Sequence, residues 1–238
     1  MKTGTHANSS SAGNGPLAVV KQRCRILLLL DSSERAGVAP LTGARLHALA
    51  YLADVLSPVW GLQHFDGKIL KIDGGPHYPD IQREVDRLVV FGLVNVHDLH
   101  YIDRPDEGAR IDGLYELRFD SEHLFAILAA LGAGPELDAL DPRDGKAHRF
   151  LVDLAGALAT LPEDEIDVAA TVDATYANEV IGESNIVYFG TWTSEGSRAN
   201  RSVAVTERFR HFLPDGAGLS SGERLYLYAA YLGKQIHG

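Results

Sequence analysis

One cysteine and one methionine in 238 residues leave little room for sulfur chemistry. The lone Cys24 rules out an internal disulfide framework and a Cys-based zinc knuckle. Long apolar runs are missing too: the most membrane-like stretch, residues 26–30, is far too short to span a bilayer. After Lys2 the chain runs through Thr, Asn, Ser and Gly instead of an apolar stretch, so no signal peptide is expected and a cytoplasmic location is. Positive charge is scarce, with 22 Lys and Arg against 32 Asp and Glu and a net charge of −10. A free-standing DNA binder carries a basic face, because phosphate neutralisation supplies most of its affinity. This balance agrees better with a protein that binds other proteins. Signatures of catalysis are equally thin. Asp73-Gly74-Gly75-Pro76 lacks the lysine and the strand-to-helix spacing of a phosphate-cradling loop and reads as a tight turn. No Gly-x-Ser-x-Gly elbow occurs, and neither an enzymatic role nor a cofactor is expected.

What is present is ordinary globular composition, 45% hydrophobic and 23% charged. Residues 1–16 are rich in Gly, Ser, Asn and Thr, and such a segment cannot offset its ordering entropy, so a flexible tail is expected. Apolar periodicity predicts helices over 17–31, 41–56 and 79–91, with a linker over 32–40. Pro79 suits a first helical turn and Gly92 a C-terminal cap. Residues 68–72 read as a short strand, with a sharp break at 73–76. Residues 93–99 and 113–119 read as an antiparallel pair around the polar loop 103–108, the shape of a wing. Helix, short strand, helix and two-stranded ribbon is the order of a winged helix-turn-helix. Beyond it the pattern predicts helices over 122–131, 147–160, 166–176, 203–212 and 221–236, with one short strand at 186–189. The expected fold is therefore mainly helical α+β. It comprises the tail, a winged-helix-like domain over 17–120 and a helical C-terminal region over 121–238.

Each candidate site competes with a plainer role. His97 and His100 lie near Asp98 and Asp103, yet His97 and Asp98 alternate across a strand, so a metal site is disfavoured. A hydrolase using His97, His100 and Asp103 is the reading an enzyme would require. Cys24, between Arg23 and Arg25, is either an activated thiol or a small hydrophobe, and the second is preferred. Glu163-Asp164-Glu165 reads as a helix start, where acids favour the macrodipole. Leu225, Tyr228, Ala229 and Leu232 form one apolar stripe. Trp60, Tyr78, Trp192 and Tyr231 are candidate partner contacts, since aromatics favour buried interface positions, although core packing competes for each. The third helix of the winged half presents Gln82, Arg83, Asp86 and Arg87, with Glu84 on a different side, and the wing adds Arg104 and Arg110 but also the acids Asp103, Asp106, Glu107 and Asp112. Those four arginines are the candidate DNA contacts. Residues 41–120 nevertheless hold eight Lys and Arg against thirteen Asp and Glu, a net of −5. Autonomous DNA reading is thus disfavoured, and any DNA contact is expected only within a complex.

The stretch 41–53, LTGARLHALAYLA, with 74–82, GGPHYPDIQ, and 88–94, LVVFGLV, resembles two related sets of proteins. One is the middle component of ABC three-component anti-phage defence systems, including the Lamassu type. The other is the SocA/Panacea antitoxin domain, in which a helix of Leu-x-Lys-Leu-x-Tyr pattern precedes a Gly-Pro turn. The resemblance covers residues 41–95. His47 stands where the antitoxin pattern favours lysine, and the long helical second half exceeds that compact domain, so the three-component set fits better. That resemblance implies a non-catalytic adaptor on an SMC-like ABC ATPase that helps hold an effector nuclease inactive. The alternative it leaves is an antitoxin or a winged-helix DNA-binding transcription regulator.

Overall fold

The computed structural model describes residues 16–64, 68–72, 74–104, 108–131, 145–177, 185–188, 200–214 and 218–238; at 102–104, 108–111, 185, 187 and 188 it describes backbone only. The chain is mainly helical, with two small antiparallel sheets.

The first helix, α1 (Pro16–Ala36), runs past the end expected at residue 31. Ser32 and Ser33 read as breakers, but their hydroxyls donate back to the carbonyls of Leu28 and Leu29 at 2.7 and 2.8 Å. That bonding removes their competition with the helix. Strand β1 (Leu41–Thr42) leads into α2 (Gly43–Leu56), and the Thr42 hydroxyl accepts the amide of Arg45 as an N-cap. A 3-10 turn, Ser57–Trp60, ends this helix at the expected Ser-Pro step. Strand β2 (Lys68–Ile72) folds directly onto β3 (Gly75–His77), pairing Leu70 with His77 and Ile72 with Gly75. The sharp break expected at 73–76 is therefore a hairpin that contributes a strand of its own.

Helix α3 (Pro79–Val90) is followed by Gly92 at φ +68°. Gly92 N–H donates to Val89 and Leu93 N–H to Leu88, the paired bonds that satisfy the last carbonyls of a helix. Strands β4 (Val94–Arg104) and β5 (Gly108–Leu117) are longer than predicted, so residues 103, 104 and 108 of the expected wing loop belong to the ladder, while 105–107 lie outside the described residues. A bulge between His97 and His100 interrupts it, with Asp98 at φ +50°. Gly113 faces this bulge, where a Cβ would come within 2.7 Å of Val96 Cγ2 and 2.9 Å of the His97 carbonyl. Leu41 and Thr42 pair with Tyr115 and Leu114, giving a sheet ordered β1-β5-β4.

Four helices follow as expected: α4 (Glu122–Ala130), α5 (Lys146–Leu158), α7 (Arg201–Arg208, continued by a 3-10 turn at Phe209–Phe212) and α8 (Ser221–His237). Between α5 and α7, helix α6 (Glu163–Ala169) stops well short of the predicted residue 176. The cause is Asp173, whose Oδ1 takes the amides of Thr175 and Tyr176 at 2.9 and 3.0 Å and so diverts the backbone from the helix. Strand β6 (Asn185–Tyr188) joins β2 to complete the second sheet, β3-β2-β6.

The core continues across residue 120, where the sequence suggested a division into halves able to share a core. One cluster holds Leu29, Leu46, Leu52, Val85, Leu151, Leu154 and Leu232 together. The predicted stripe Leu225, Tyr228, Ala229 and Leu232 is fully inside it; a buried Leu contributes about 1.5–3 kcal/mol relative to exposure.

Two polar knots sit in this core. Asp173 accepts from the phenols of Tyr51 on α2 and Tyr228 on α8 at 2.7 and 2.6 Å, and from the Ser202 hydroxyl on α7 at 2.7 Å. One turn further along α2, Arg25 Nη2 meets Asp54 Oδ2 at 2.8 Å, and the same oxygen accepts from the Tyr78 phenol at 2.8 Å. Burial, and then the adjacent Asp173 and Asp54 carboxylates, push the phenols of Tyr51, Tyr78 and Tyr228 above their ordinary value near 10. A raised folded-state value favours the protonated phenol, so its stabilising contribution is complete below pH 10 and is lost as the pH climbs beyond it. Ultraviolet difference absorbance is expected to show these three of the nine tyrosines ionising only together with alkaline unfolding.

Candidate functional site

Surface chemistry concentrates where α3 meets α1. Helix α3 is strongly amphipathic, burying Ile81, Glu84, Val85 and Leu88. Glu84 is the exception in that set, a carboxylate only 1% exposed on an otherwise apolar face. Arginines close over it: Arg23 Nε of α1 lies 2.8 Å from Oε2, while Arg87 Nη1 and Arg83 Nε lie 2.6 and 3.3 Å from Oε1. Arg83 also reaches Asp80 at 2.7 Å. Burial alone would push the Glu84 carboxyl up, but the hydrogen bonds from Arg23 and Arg83 and the charge of Arg87 outweigh it and hold it below the ordinary carboxylate range. Glu84 lies on the buried side of α3, a different side from the exposed Arg83 and Arg87 as expected, and both arginines reach over to it, because a buried carboxylate needs cations within reach.

The remaining candidates fall elsewhere. Arg104 and Arg110 stand on β4 and β5 near the hairpin tip, with their side chains outside the described residues. Asp112, expected as a wing acid, is buried and accepts the amides of Gly43 and Gly113 at 3.0 and 2.8 Å, capping α2 from across the sheet.

Among the candidate partner contacts, Tyr78 belongs to the core. Its ring is 1% exposed, and its amide donates to His47 Nδ1 at 3.2 Å. Trp60 and Tyr231 are partly buried against the core cluster, Trp60 beside Phe150 and Tyr231 beside Tyr228. Trp192 lies outside the described residues.

His97 and His100 take separate partners. His97 Nε2 pairs with Glu116 at 2.8 Å, and His100 Nδ1 donates to the carbonyl of Asp98 at 2.7 Å. Among the described residues no group of three or more His, Cys, Asp or Glu is placed to hold a metal ion. Burial pushes the Cys24 thiol up, away from the thiolate a nucleophile needs.

No family model, curated protein or solved structure matches the chain.

Apolar side chains surround the arginines. Arg23 stacks over the Phe91 ring at 5.0 Å, and Val90 and Phe91 are 83% and 56% exposed. Sequence reasoning selected Arg83 and Arg87 but missed Arg23, Phe91 and the organising Glu84. A glutamate flanked by arginines looks like a solvated helix face. The only hint was its fit to the apolar phase of Ile81, Val85 and Leu88.

Replacing Glu84 by Gln removes the ion pairs at nearly constant volume, and is expected to cost about 1–3 kcal/mol at neutral pH. A lowered folded-state value means this contribution is present above the ordinary carboxylate range and disappears as the pH falls through the lowered one. Urea denaturation of both proteins at neutral and acid pH checks the difference and its closure.

Proposed function

We propose that the chain is a non-catalytic adaptor, a regulatory subunit of a bacterial anti-phage complex that bridges an SMC-like ABC ATPase and an effector nuclease. The observation that carries the protein-binding part is the state of the α3 arginines. Arg83 and Arg87 are already engaged by Glu84 and Asp80. Large apolar side chains stand exposed beside them. A helix built to read phosphate and base edges presents free arginines and no competing carboxylates. A protein interface tolerates paired arginines and draws its affinity from aromatic and apolar contacts. The identity of the two partners rests on the resemblance of residues 41–95.

The winged-helix reading of the first half draws support from strand order. The short β1 between two helices pairs with the second strand of the β4–β5 hairpin, as a winged helix requires. The β2–β3 hairpin between α2 and α3 is an addition to that plan. This sheet order also favours a second reading, in which the chain is an antitoxin or a winged-helix transcription regulator.

Expression with the flanking genes followed by tagged purification separates the readings. The adaptor reading expects stable co-elution with a large ATPase. A lone small toxin as partner, or a monomer that shifts DNA at physiological salt, would replace it with the second reading.

A further inference from the structure

We infer that the outer face of α7, its 3-10 turn and the start of α8 form a contact surface for a nucleic-acid strand, with Arg201, Arg208, Arg210 and Arg224 meeting phosphates and Phe212 stacking on a base. The inference goes beyond the adaptor reading and does not depend on it.

Pairing sets these arginines apart. Every arginine of α1, α2 and α3 meets a carboxylate in an ion pair. Among the described residues, Arg201, Arg208, Arg210 and Arg224 meet none. Helix α7 turns Ser202 and Thr206 into the core, and the Asn200 side chain caps it by accepting the Val203 amide at 3.1 Å. Arg201 and Arg208 are seven residues apart, close to two full turns, so they share the exposed face at a spacing of about 10 Å. Arg210 follows in the 3-10 turn, also exposed. Arg224 of α8 is half-buried, its Nη2 donating to the carbonyl of Val59 at 3.0 Å and to the Ser221 hydroxyl at 3.2 Å. Its Nε is buried with no partner among the described residues. Burial, and then the charge of Arg210, pull this guanidinium below its ordinary value, and Glu207 does not offset them. Two like charges held together destabilise each other, and an anion bound at both relieves the repulsion.

The surplus of positive charge survives a full count. The four arginines against Glu207 and Glu223 leave +2. Glu223 is turned into the capping box with Ser220. Helix α5 packs here, its Asp153 Oδ2 lying 2.8 Å from where a Cβ on Gly222 would stand. Its Lys146, Arg149 and Asp153 raise the sum to +3. Asp215, outside the described residues, returns it to +2, and residues 189–199 before α7 are neutral in sum. The acidic α6 lies at the far end of α8, where Glu165 meets His237 at 3.0 Å. That end is about 20 Å along the helix from Arg224, roughly two Debye lengths at physiological salt.

Apolar content decides the kind of anion. Val203, Val205 and Phe209 pack against the core, which leaves Phe212, 85% exposed, as the large apolar side chain that α7 and its turn present outward. A protein interface draws its affinity from a packed apolar centre, and a row of arginines with one phenylalanine supplies none. A nucleic-acid strand uses what is present, unpaired guanidiniums that displace counterions from phosphates and an aromatic face for a base. The α3 surface has the reverse composition, paired arginines beside several apolar side chains. Contacts to phosphate carry no sequence reading, and a net charge of −10 opposes tight binding by this chain alone.

The test is fluorescence anisotropy of the full chain with a fluorescein-labelled oligothymidylate over a salt series from about 50 to 150 mM. Oligoglutamate of the same charge and phosphatidylglycerol vesicles are measured beside it. The oligonucleotide is expected to bind with a Kd on the order of micromolar at the low end and to weaken about twentyfold across the series, a slope near −3 from four phosphates at about 0.7 each. Arg210→Gln should flatten that slope by about 0.7, and Arg210→Glu should weaken binding at least about tenfold. Phe212→Ala should weaken it about tenfold with the slope unchanged, and Glu207→Gln should tighten it about twofold. All three positions are exposed, so thermal melts of the variants should stay close to wild type. No binding at the low end, indifference to Arg210→Glu, or equal binding of oligoglutamate or the vesicles would each overturn the site. The expected binding fades by physiological salt, so a DNA shift there still marks the regulator reading, and co-purification with the flanking ATPase tests the adaptor reading by itself.

Discussion

Helix α2 is buried at thirteen of its fourteen positions, and Arg45, His47, Tyr51 and Asp54 are among them. None of these polar groups reaches bulk water, and an unmet buried donor or acceptor costs about 1–3 kcal/mol. The surrounding elements are placed so that each is met. Arg25 of α1 and the Tyr78 phenol satisfy Asp54, and the amide of Tyr78 satisfies His47. Asp173 receives Tyr51, while Glu163 and Asp167 of α6 receive Arg45. Such matching leaves little freedom in how helices pack around α2, because a rotation that suits the apolar residues would strand a charge.

The same requirement explains why the core does not stop at residue 120. The partners of Asp54 and His47 come from before it, and those of Tyr51 and Arg45 from after it. His148 on α5 adds a further tie, its Nε2 lying 2.6 Å from Asp31 on α1. Arg35 Nε meets the same oxygen at 2.7 Å, and although burial pushes Asp31 up, His148 and Arg35 together keep it below its ordinary range. Polar ties of this kind join elements on both sides of position 120, and the α3 arginines sit on a regular helix whose inner face is buried.

Much of the architecture was legible in the sequence because apolar periodicity reports burial directly. The stripe on α8, the strand at 68–72, the cap at Gly92 and the acidic start of α6 all follow from local pattern. The failures share one cause, which is side-chain bonding that no pattern encodes. Ser32 and Ser33 look like a linker until their hydroxyls are seen returning to the helix. Residues 170–176 look helical until Asp173 takes the amides of Thr175 and Tyr176. Asp112 looks like a wing acid until it caps α2. At the candidate site, Arg83 and Arg87 were visible as exposed charges. Glu84 was not, because helical phase marks a buried position without saying that three arginines, one from 61 residues away, will meet there. Tyr78 was chosen for its aromatic character, which interfaces and cores share equally.

The central claim is that α2 and its polar partners make a single cooperative unit of residues on both sides of position 120. The most direct measurement is urea denaturation of Asp173→Ala beside wild type, followed by tryptophan fluorescence and by far-ultraviolet circular dichroism. Losing the acceptor for two phenols and a hydroxyl should lower stability by about 3–5 kcal/mol. Both probes should move together through one transition. A midpoint unchanged from wild type, or two transitions of which only the later part of the chain responds, would contradict the account.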